Sequence, residues 1–302
     1  MTKKIRLPFI CTIFGKIIQK SISYKTTPMS KKIVILTGSE LRHTFFRKSV
    51  AAAENIMVLA SYCESEKGNL NEIVQSQSDD NSLRAKHLEL RNATEKVFFE
   101  DFCNHTTDFS NPIFIEKSAI NDSVVVENIK KLKPDLIVSY GCSIIKSDLL
   151  NIFEGRFINL HLGLSPYYRG SGTNFWPFVN NELQFVGVTF MHIDAGIDTG
   201  KIIHQIRAEI FEKDDIHQIG NRLIQNMAQV CITLLLNFDN LQNLEPLPFD
   251  KTNEKYYRTK DFTEISLQQM YQNFESGMIQ NYLNLKVETD LKFPIIKNIL
   301  PL

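Results

Sequence analysis

From Lys32 onward, short apolar runs alternate with longer stretches whose apolar positions recur at helical spacing. "KIVILTG" and "IMVLASY" read as buried strands, and "SELRHTFFRKSVAAAE" between them has helical periodicity. "LRAKHLELRNATEKVFFEDFC" follows as a long helix with Leu83, Leu90, Val97 and Phe98 at its apolar positions. "PIFIE", "PDLIVSYG" and "RFINLHL" continue the strands, with "INDSVVVENIKKLK" and "IKSDLLNIF" as the intervening helices. This alternation predicts an α/β fold, a mostly parallel sheet covered by helices on both faces.

Beyond Gly170 the pattern changes. "FVGVTFMHID" and "KIIHQIRAEI" are strands joined by "AGIDTG", a hairpin arrangement rather than a helical crossover. "IHQIGNRLIQNMAQVCITLLLNF" is a long amphipathic helix, and "NLEPLPFDKTNEK" is a polar linker bearing prolines. The final helical stretch places Leu267, Met270, Tyr271, Phe274 and Met278 at helical spacing, with Asp261 and Glu264 as its capping signal. Too short for a core of its own, it is expected to pack on the main body. The organisation predicted is a basic extension (1–31), a main α/β domain (32–245), and a linker with a C-terminal helical tail (246–302). No internal repeat is visible.

Charge changes this picture only at the N-terminus. Lys+Arg and Asp+Glu balance at 34 each, so no net field draws the 302-residue chain to nucleic acid or lipid. Residues 1–32, however, hold eight Lys/Arg and no acid. They fit a loose extension ahead of a fold beginning near Met29, with a membrane-surface helix or targeting segment as the other readings. No apolar run reaches the length of a membrane span. The five scattered cysteines (Cys11, Cys63, Cys103, Cys142, Cys231) form no CxxC pair, which suits reduced thiols in a cytoplasmic setting.

The chemistry concentrates in "NLHLGLSPYYRG". Asn159 and His161 stand two apart at a strand end, so amide and imidazole project to one side. "DAGIDTG" brings Asp194 and Asp198 between the next two strands, with Gly196 and Gly200 allowing a sharp path. An amide, an imidazole and a carboxylate converging in a cleft supply an oxyanion donor, a proton shuttle and an orienting group. A satisfied buried His161 beside a solvated acidic turn fits the spacing equally well. His192 reads as a core histidine, and Trp176 as packing near the site.

"INLHLGLSPYYRG" followed by "GVTFMHIDAGIDTGKII" resembles the 10-formyltetrahydrofolate-dependent formyltransferases, which include glycinamide ribonucleotide, methionyl-tRNA and amino-sugar formyltransferases. The resemblance covers roughly residues 33–210. It implies a Rossmann-like formyltransferase fold, a catalytic triad of Asn159, His161 and Asp198, and no metal. It also implies 10-formyltetrahydrofolate as formyl donor, in a flat slot walled by Tyr140, Gly141, Ile144 and Ile145. Gly163, Leu164, Ser165 and Pro166 would line the same slot, together with Asp194, Ala195, Gly196 and Ile197. The family's Ser-Leu-Leu-Pro reads Gly-Leu-Ser-Pro at 163–166, which removes the first hydroxyl and keeps the proline in register. Ordinary core packing is the alternative for Ile144 and Ile145.

The acceptor is a small-molecule primary amine on this reading, with a nucleotide-linked amino sugar as first expectation. Near-balanced charge in residues 251–302 speaks against tRNA, because polyanion binding rests on many neutralised phosphates. Methionyl-tRNA and glycinamide ribonucleotide remain alternatives, as do a 10-formyltetrahydrofolate hydrolase and a metal-binding or sensor module built from His161, His192, Asp194 and Asp198. Phosphate would meet the helix after "ILTGS", near Arg42, His43 or Arg47, unless Ser39 merely caps that helix. A homodimer is compatible with all of this.

Overall fold

The computed structural model describes residues 30–65 and 82–300. The basic extension expected at 1–31 falls outside these apart from its last two residues. Lys31 already opens the first strand and pairs with Asp239 at 2.6 Å.

Strands β1 (Lys31–Gly38), β2 (Ile56–Glu64), β3 (Pro112–Ile115), β4 (Leu136–Tyr140), β5 (Phe157–Leu162), β7 (Gly187–His192) and β8 (Ile202–Arg207) form one sheet. Its order is β3-β2-β1-β4-β5-β7-β8. The pairs from β3 through β5 are parallel, whereas β5–β7 and β7–β8 are antiparallel. The strands joined by the 193–201 loop are therefore a hairpin, as the sequence pattern predicted. β6 (Tyr168–Gly170) and β9 (Lys255–Tyr257) make a separate two-stranded ribbon.

Both faces of the sheet are buried, which is why its central strands read as continuous apolar runs. In β1, Ile33 and Ile35 point into one cluster and Val34 and Leu36 into the other. The first cluster is covered by α1 (Leu41–Ala51), α2 (Leu83–His105) and α6 (Ile216–Leu236), and by the tail helices α7 (Glu264–Glu275) and α8 (Met278–Lys292). The second lies under α3 (Ser123–Leu132) and the short α4 (Ser147–Ile152). A single turn of helix, α5 (Trp176–Val179), follows the motif loop.

The tail departs from the predicted continuous helix. Gly277 takes a left-handed conformation (φ 81°) and divides it into α7 and α8. The capping residues also differ from those predicted. Thr263 and Ser266 form the reciprocal box at the start of α7, whereas Asp261 accepts the Arg258 N–H in the preceding turn. Glu264 reaches across to the N-terminus of α2, accepting the Leu83 and Arg84 N–H groups at 3.2 and 3.1 Å. That carboxylate satisfies donors a helix start leaves open, with favourable dipole orientation. Asn273 donates to the Phe178 and Val179 carbonyls, and Ile296 and Gln205 exchange hydrogen bonds along β8. The tail is thus sewn onto the body, covering an otherwise open sheet edge.

Candidate active site

In β5, Ile158 and Leu160 face the first cluster and Phe157 the second. Alternation therefore puts Asn159 and His161 on the Phe157 face. The last β4–β5 pair is Ser139 with Asn159, so His161 and Leu162 run beyond the end of β4 while still paired with β7. The 193–201 loop crosses back over this stretch and carries Asp198 to it. Gly200 makes that path possible, because a Cβ there would lie 1.6 Å from the His192 carbonyl oxygen.

The three side chains meet. His161 Nδ1 is 3.2 Å from Asp198 Oδ1, with His161 6% and Asp198 11% exposed. His161 Nε2 donates to the Tyr168 carbonyl at 2.9 Å. Both ring nitrogens face oxygen atoms, so the imidazole is fixed between a carboxylate and a carbonyl. Asn159 Nδ2 lies 3.5 Å from Asp198 Oδ1, and Ser139 Oγ donates to Asn159 Oδ1 at 2.9 Å. The serine hydroxyl thereby fixes which way the amide points, leaving its N–H side toward the triad. Ser139 was not singled out from sequence, although its place one strand over, in register with Asn159, was available to strand pairing.

Asp198 sits in a left-handed conformation (φ 53°), and its Oδ2 accepts the Gly170 N–H at 2.9 Å. Arg169, pairing with Glu254, clamps the same loop by donating to the Ile197 carbonyl at 3.0 and 2.7 Å. Burial pushes the Asp198 carboxyl up, but the hydrogen bond and charge of His161, the Gly170 N–H and nearby Arg169 together hold it below its ordinary value. The motif loop is fixed from beneath by Thr189, the register partner of His161. Its hydroxyl accepts the Ser165 N–H at 2.9 Å and donates to the Gly163 carbonyl at 2.7 Å, while Gln205 donates to the Ser165 carbonyl at 2.7 Å. Glycine at 163 leaves room for the imidazole, since a Cβ there would come within 2.9 Å of His161 Nε2.

Comparison with known proteins bears on this arrangement. The family model described as formyl transferase matches residues 43–235. The chain belongs to the formyl transferase family. It is 32% identical over 162 residues to a methionyl-tRNA formyltransferase of Alkaliphilus oremlandii, covering 52% of this chain and 51% of that protein. It is 35% identical over 132 residues to the bifunctional polymyxin resistance protein ArnA of Wigglesworthia glossinidia brevipalpis, covering 43% of this chain and 20% of that one. The match thus spans about half the length of the first relative and a smaller share of the second. In structure, a sugar N-formyltransferase from Shewanella superposes with a TM-score of 0.52 at 21% identity, covering 80% of this chain and 87% of that one. That likeness bears on the fold, which is the Rossmann-like formyltransferase architecture.

Two cavities lie around these strand ends, and Asp198 lines the second of them. The first, about 600 Å³, opens where β4 and β5 end and includes Tyr140, Gly141 and Leu162. The second, about 720 Å³, lies behind the motif loop and includes Ser165, Pro166 and Asp198. The residues expected to wall one donor slot are therefore divided. Tyr140 and Gly141 belong to the first cavity, and Ser165 and Pro166 to the second. Ile145 and Leu164 are buried, 6% and 1% exposed, and face the interior. Ile145 packs under α3 and α4, and Leu164 against Gly187, where a Cβ would approach it to 2.7 Å. Ile144 stands 70% exposed and Ile197 37% exposed, on the loops after β4 and β7. Ala195 and Gly196 are exposed, and Asp194 closes their turn by accepting the Gly196 N–H and the Thr199 hydroxyl at 2.9 and 2.7 Å.

The phosphate cradle expected at α1 is taken up internally. Arg42 pairs with Glu40 and Glu95, Arg47 with Asp108 and Ser110, and His43 is buried against Tyr140. The N-cap is Glu40 rather than Ser39. Trp176 stacks on Tyr257 with ring centroids 4.0 Å apart, in the wall of the first cavity. His192 is half-buried beside Phe238 rather than in the core. Among the described residues no group of three or more His, Cys, Asp or Glu could hold a metal ion, so His161, His192, Asp194 and Asp198 do not form a ligand set. No described helix is long and apolar enough to cross a membrane.

Three histidines give the protein a defined acid limit. Burial lowers His87 to about 3, and His217 and His204 each to about 4, from 6.5. Unfolded imidazoles bind protons below about 6.5, whereas these stay neutral until far lower pH. The unfolded state therefore binds more protons in that window, and stability falls as pH drops from about 6.5 toward 4. Thermal melts from pH 7.5 to 4.5 are expected to show a steep decline over this interval. A flat melting temperature would contradict the neutral burial of these rings.

Proposed function

We propose that the protein transfers a formyl group from 10-formyltetrahydrofolate to a primary amine. The observation that carries this reading is the convergence of Asn159, His161 and Asp198, with Asp198 lining one cavity and Tyr140, Gly141 and Leu162, at the ends of β4 and β5, lining another. The amine nitrogen attacks the formyl carbon, giving a tetrahedral oxyanion. The Asn159 N–H, aimed by Ser139, and the positive charge of His161 stabilise that oxyanion. Asp198 holds the imidazolium and takes part in moving the proton that the amine loses, through water, to N10 of the departing folate. The new C–N bond forms in the attack, and the N10–C bond breaks when the oxyanion collapses to the formamide and tetrahydrofolate. Apolar Ile144 and Ile197, on loops flanking the triad, offer faces for the pterin.

For the acceptor, a small amine on a nucleotide-linked sugar is the first reading. The first cavity supports it, having the size of a small-molecule site and a wall built partly by the tail through Arg258, Thr259 and Phe262. The identity with a methionyl-tRNA formyltransferase supports methionyl-tRNA as the second reading. Free thiols at Cys63, Cys103, Cys142 and Cys231 fit a reducing compartment such as the cytoplasm. The test is competition. Nucleotide-amino-sugars, glycinamide ribonucleotide and methionyl-tRNA are offered with the same donor at several salt concentrations. Preferential, salt-tolerant formylation of a nucleotide-amino-sugar is expected. Efficient formylation of methionyl-tRNA with a steep salt slope would favour the second reading.

A further inference from the structure

The first cavity contains polar atoms that the protein itself leaves unanswered. His217 and Asn221, one helical turn apart on α6, line it and are 8% and 4% exposed. His217 Nε2 and Asn221 Nδ2 have no hydrogen-bond partner, and neither has Oδ1 of Asn174, which lines the same cavity. Gly220 allows the third to join the first two, because a Cβ there would come within 2.9 Å of Asn174 Nδ2. A buried polar atom left without a partner forfeits the hydrogen bonds that water would give it. Three in one patch, all bordering the same void, describe a surface completed by a ligand.

That surface is uncharged. The His217 ring lies 4.6 Å from that of His87, and burial keeps both neutral at physiological pH. Around it stand aromatic rings, with Phe175 and Phe262 edge to face at 5.2 Å. Charge lies elsewhere in the cavity wall. The guanidinium groups of Arg42 and Arg91 are matched by Glu40 and Glu95, whereas Lys117, which reaches buried Glu64 at 3.4 Å, and Arg258 line the cavity from exposed positions. A neutral donor–acceptor shelf among aromatic rings suits the edge and face of a heterocyclic base, and exposed cations suit phosphate.

We propose that this cavity binds a nucleoside diphosphate, its base on the His217–Asn221–Asn174 shelf and its phosphates toward Lys117 and Arg258. The proposal deepens the acceptor reading above and rests on it for its biological sense, but it is tested by binding alone. Trp176, the chain's only tryptophan, lies in the cavity wall and reports occupancy. UDP, dTDP and GDP, with the corresponding nucleosides, are titrated against the whole protein by tryptophan fluorescence and by calorimetry. At least one diphosphate is expected to bind. Asn221→Ala and His217→Phe are expected to weaken both diphosphate and nucleoside about tenfold, the loss of one buried hydrogen bond. Arg258→Ala, at an exposed position, and Lys117→Ala, with folding checked by circular dichroism because Lys117 pairs with buried Glu64, are expected to weaken the diphosphate and leave the nucleoside unchanged. Absence of binding in both measurements at millimolar ligand overturns the proposal. So does unaltered diphosphate binding in the folded shelf variants or in both rim variants. Donor binding and turnover are measured separately, so that failure of formyl transfer with nucleotide binding intact refutes the reaction and not the site.

Discussion

His161→Ala is expected to lower kcat for formyl transfer by at least about 10²-fold, with Asp198→Asn close behind. Positioned acid–base groups contribute about 10²–10⁴ in rate, and loss of one oxyanion donor costs about 10²–10³. The geometry explains why the two losses should be similar and non-additive. The imidazole is fixed by two bonds, to the Tyr168 carbonyl and to Asp198. An amide at 198 keeps the shape but removes the charge that stabilises the imidazolium, and it can present its NH₂ to the ring in the wrong sense. The double variant should be little slower than His161→Ala alone. Steady-state rates at saturating donor and amine, with circular dichroism to confirm folding, check this. More than about a tenth of wild-type activity in a folded His161→Ala protein would remove the proposed role.

Removing the tail after residue 245 is expected to abolish cooperative folding. Leu267, Met270, Met278, Ile279 and Tyr282 are each no more than 8% exposed and lie in the same cluster as α1, α2 and α6. At about 1.5–3 kcal/mol for each large apolar side chain, their burial is worth on the order of 10 kcal/mol. That is comparable to the roughly 5–15 kcal/mol of net stability of a whole domain. Truncation also uncovers the partners of Glu264 at the α2 N-terminus and of Tyr271 at His87. The truncated chain should lose near-UV circular dichroism and bind a hydrophobic dye. A cooperative melt within a few degrees of the full chain would show the tail to be dispensable.

The parts of the fold that were legible share a cause. β1, β4 and β5 are buried on two faces and therefore read as apolar runs, and α6 has a broad apolar stripe against the sheet. The tail's break at Gly277 was not legible, because Leu267 to Met278 stay in helical phase across it. Its cap was misjudged because Asp261 and Glu264 satisfy distant or preceding backbone groups, and nothing in local spacing distinguishes such a bond from a cap.

Within the site, sequence by itself determined the residue types and their approach. Asn159 and His161 share a face because strand side chains alternate, and the two glycines around Asp198 permit a loop that doubles back. Tertiary structure decided everything that depends on non-local contact. Ser139, twenty residues earlier in the chain, orients the Asn159 amide. Ile145 and Leu164 turned inward because the core offered them more contact than a slot would. Arg42 and Arg47 were withdrawn from phosphate by Glu95 and Asp108, each more than fifty residues away. The first cavity is shaped jointly by α1, α2, α6 and the tail, which meet only in the folded chain. Periodicity records what each segment does with its own neighbours. Which side chains remain unpaired, and therefore free to bind, is settled only when distant segments have claimed the rest.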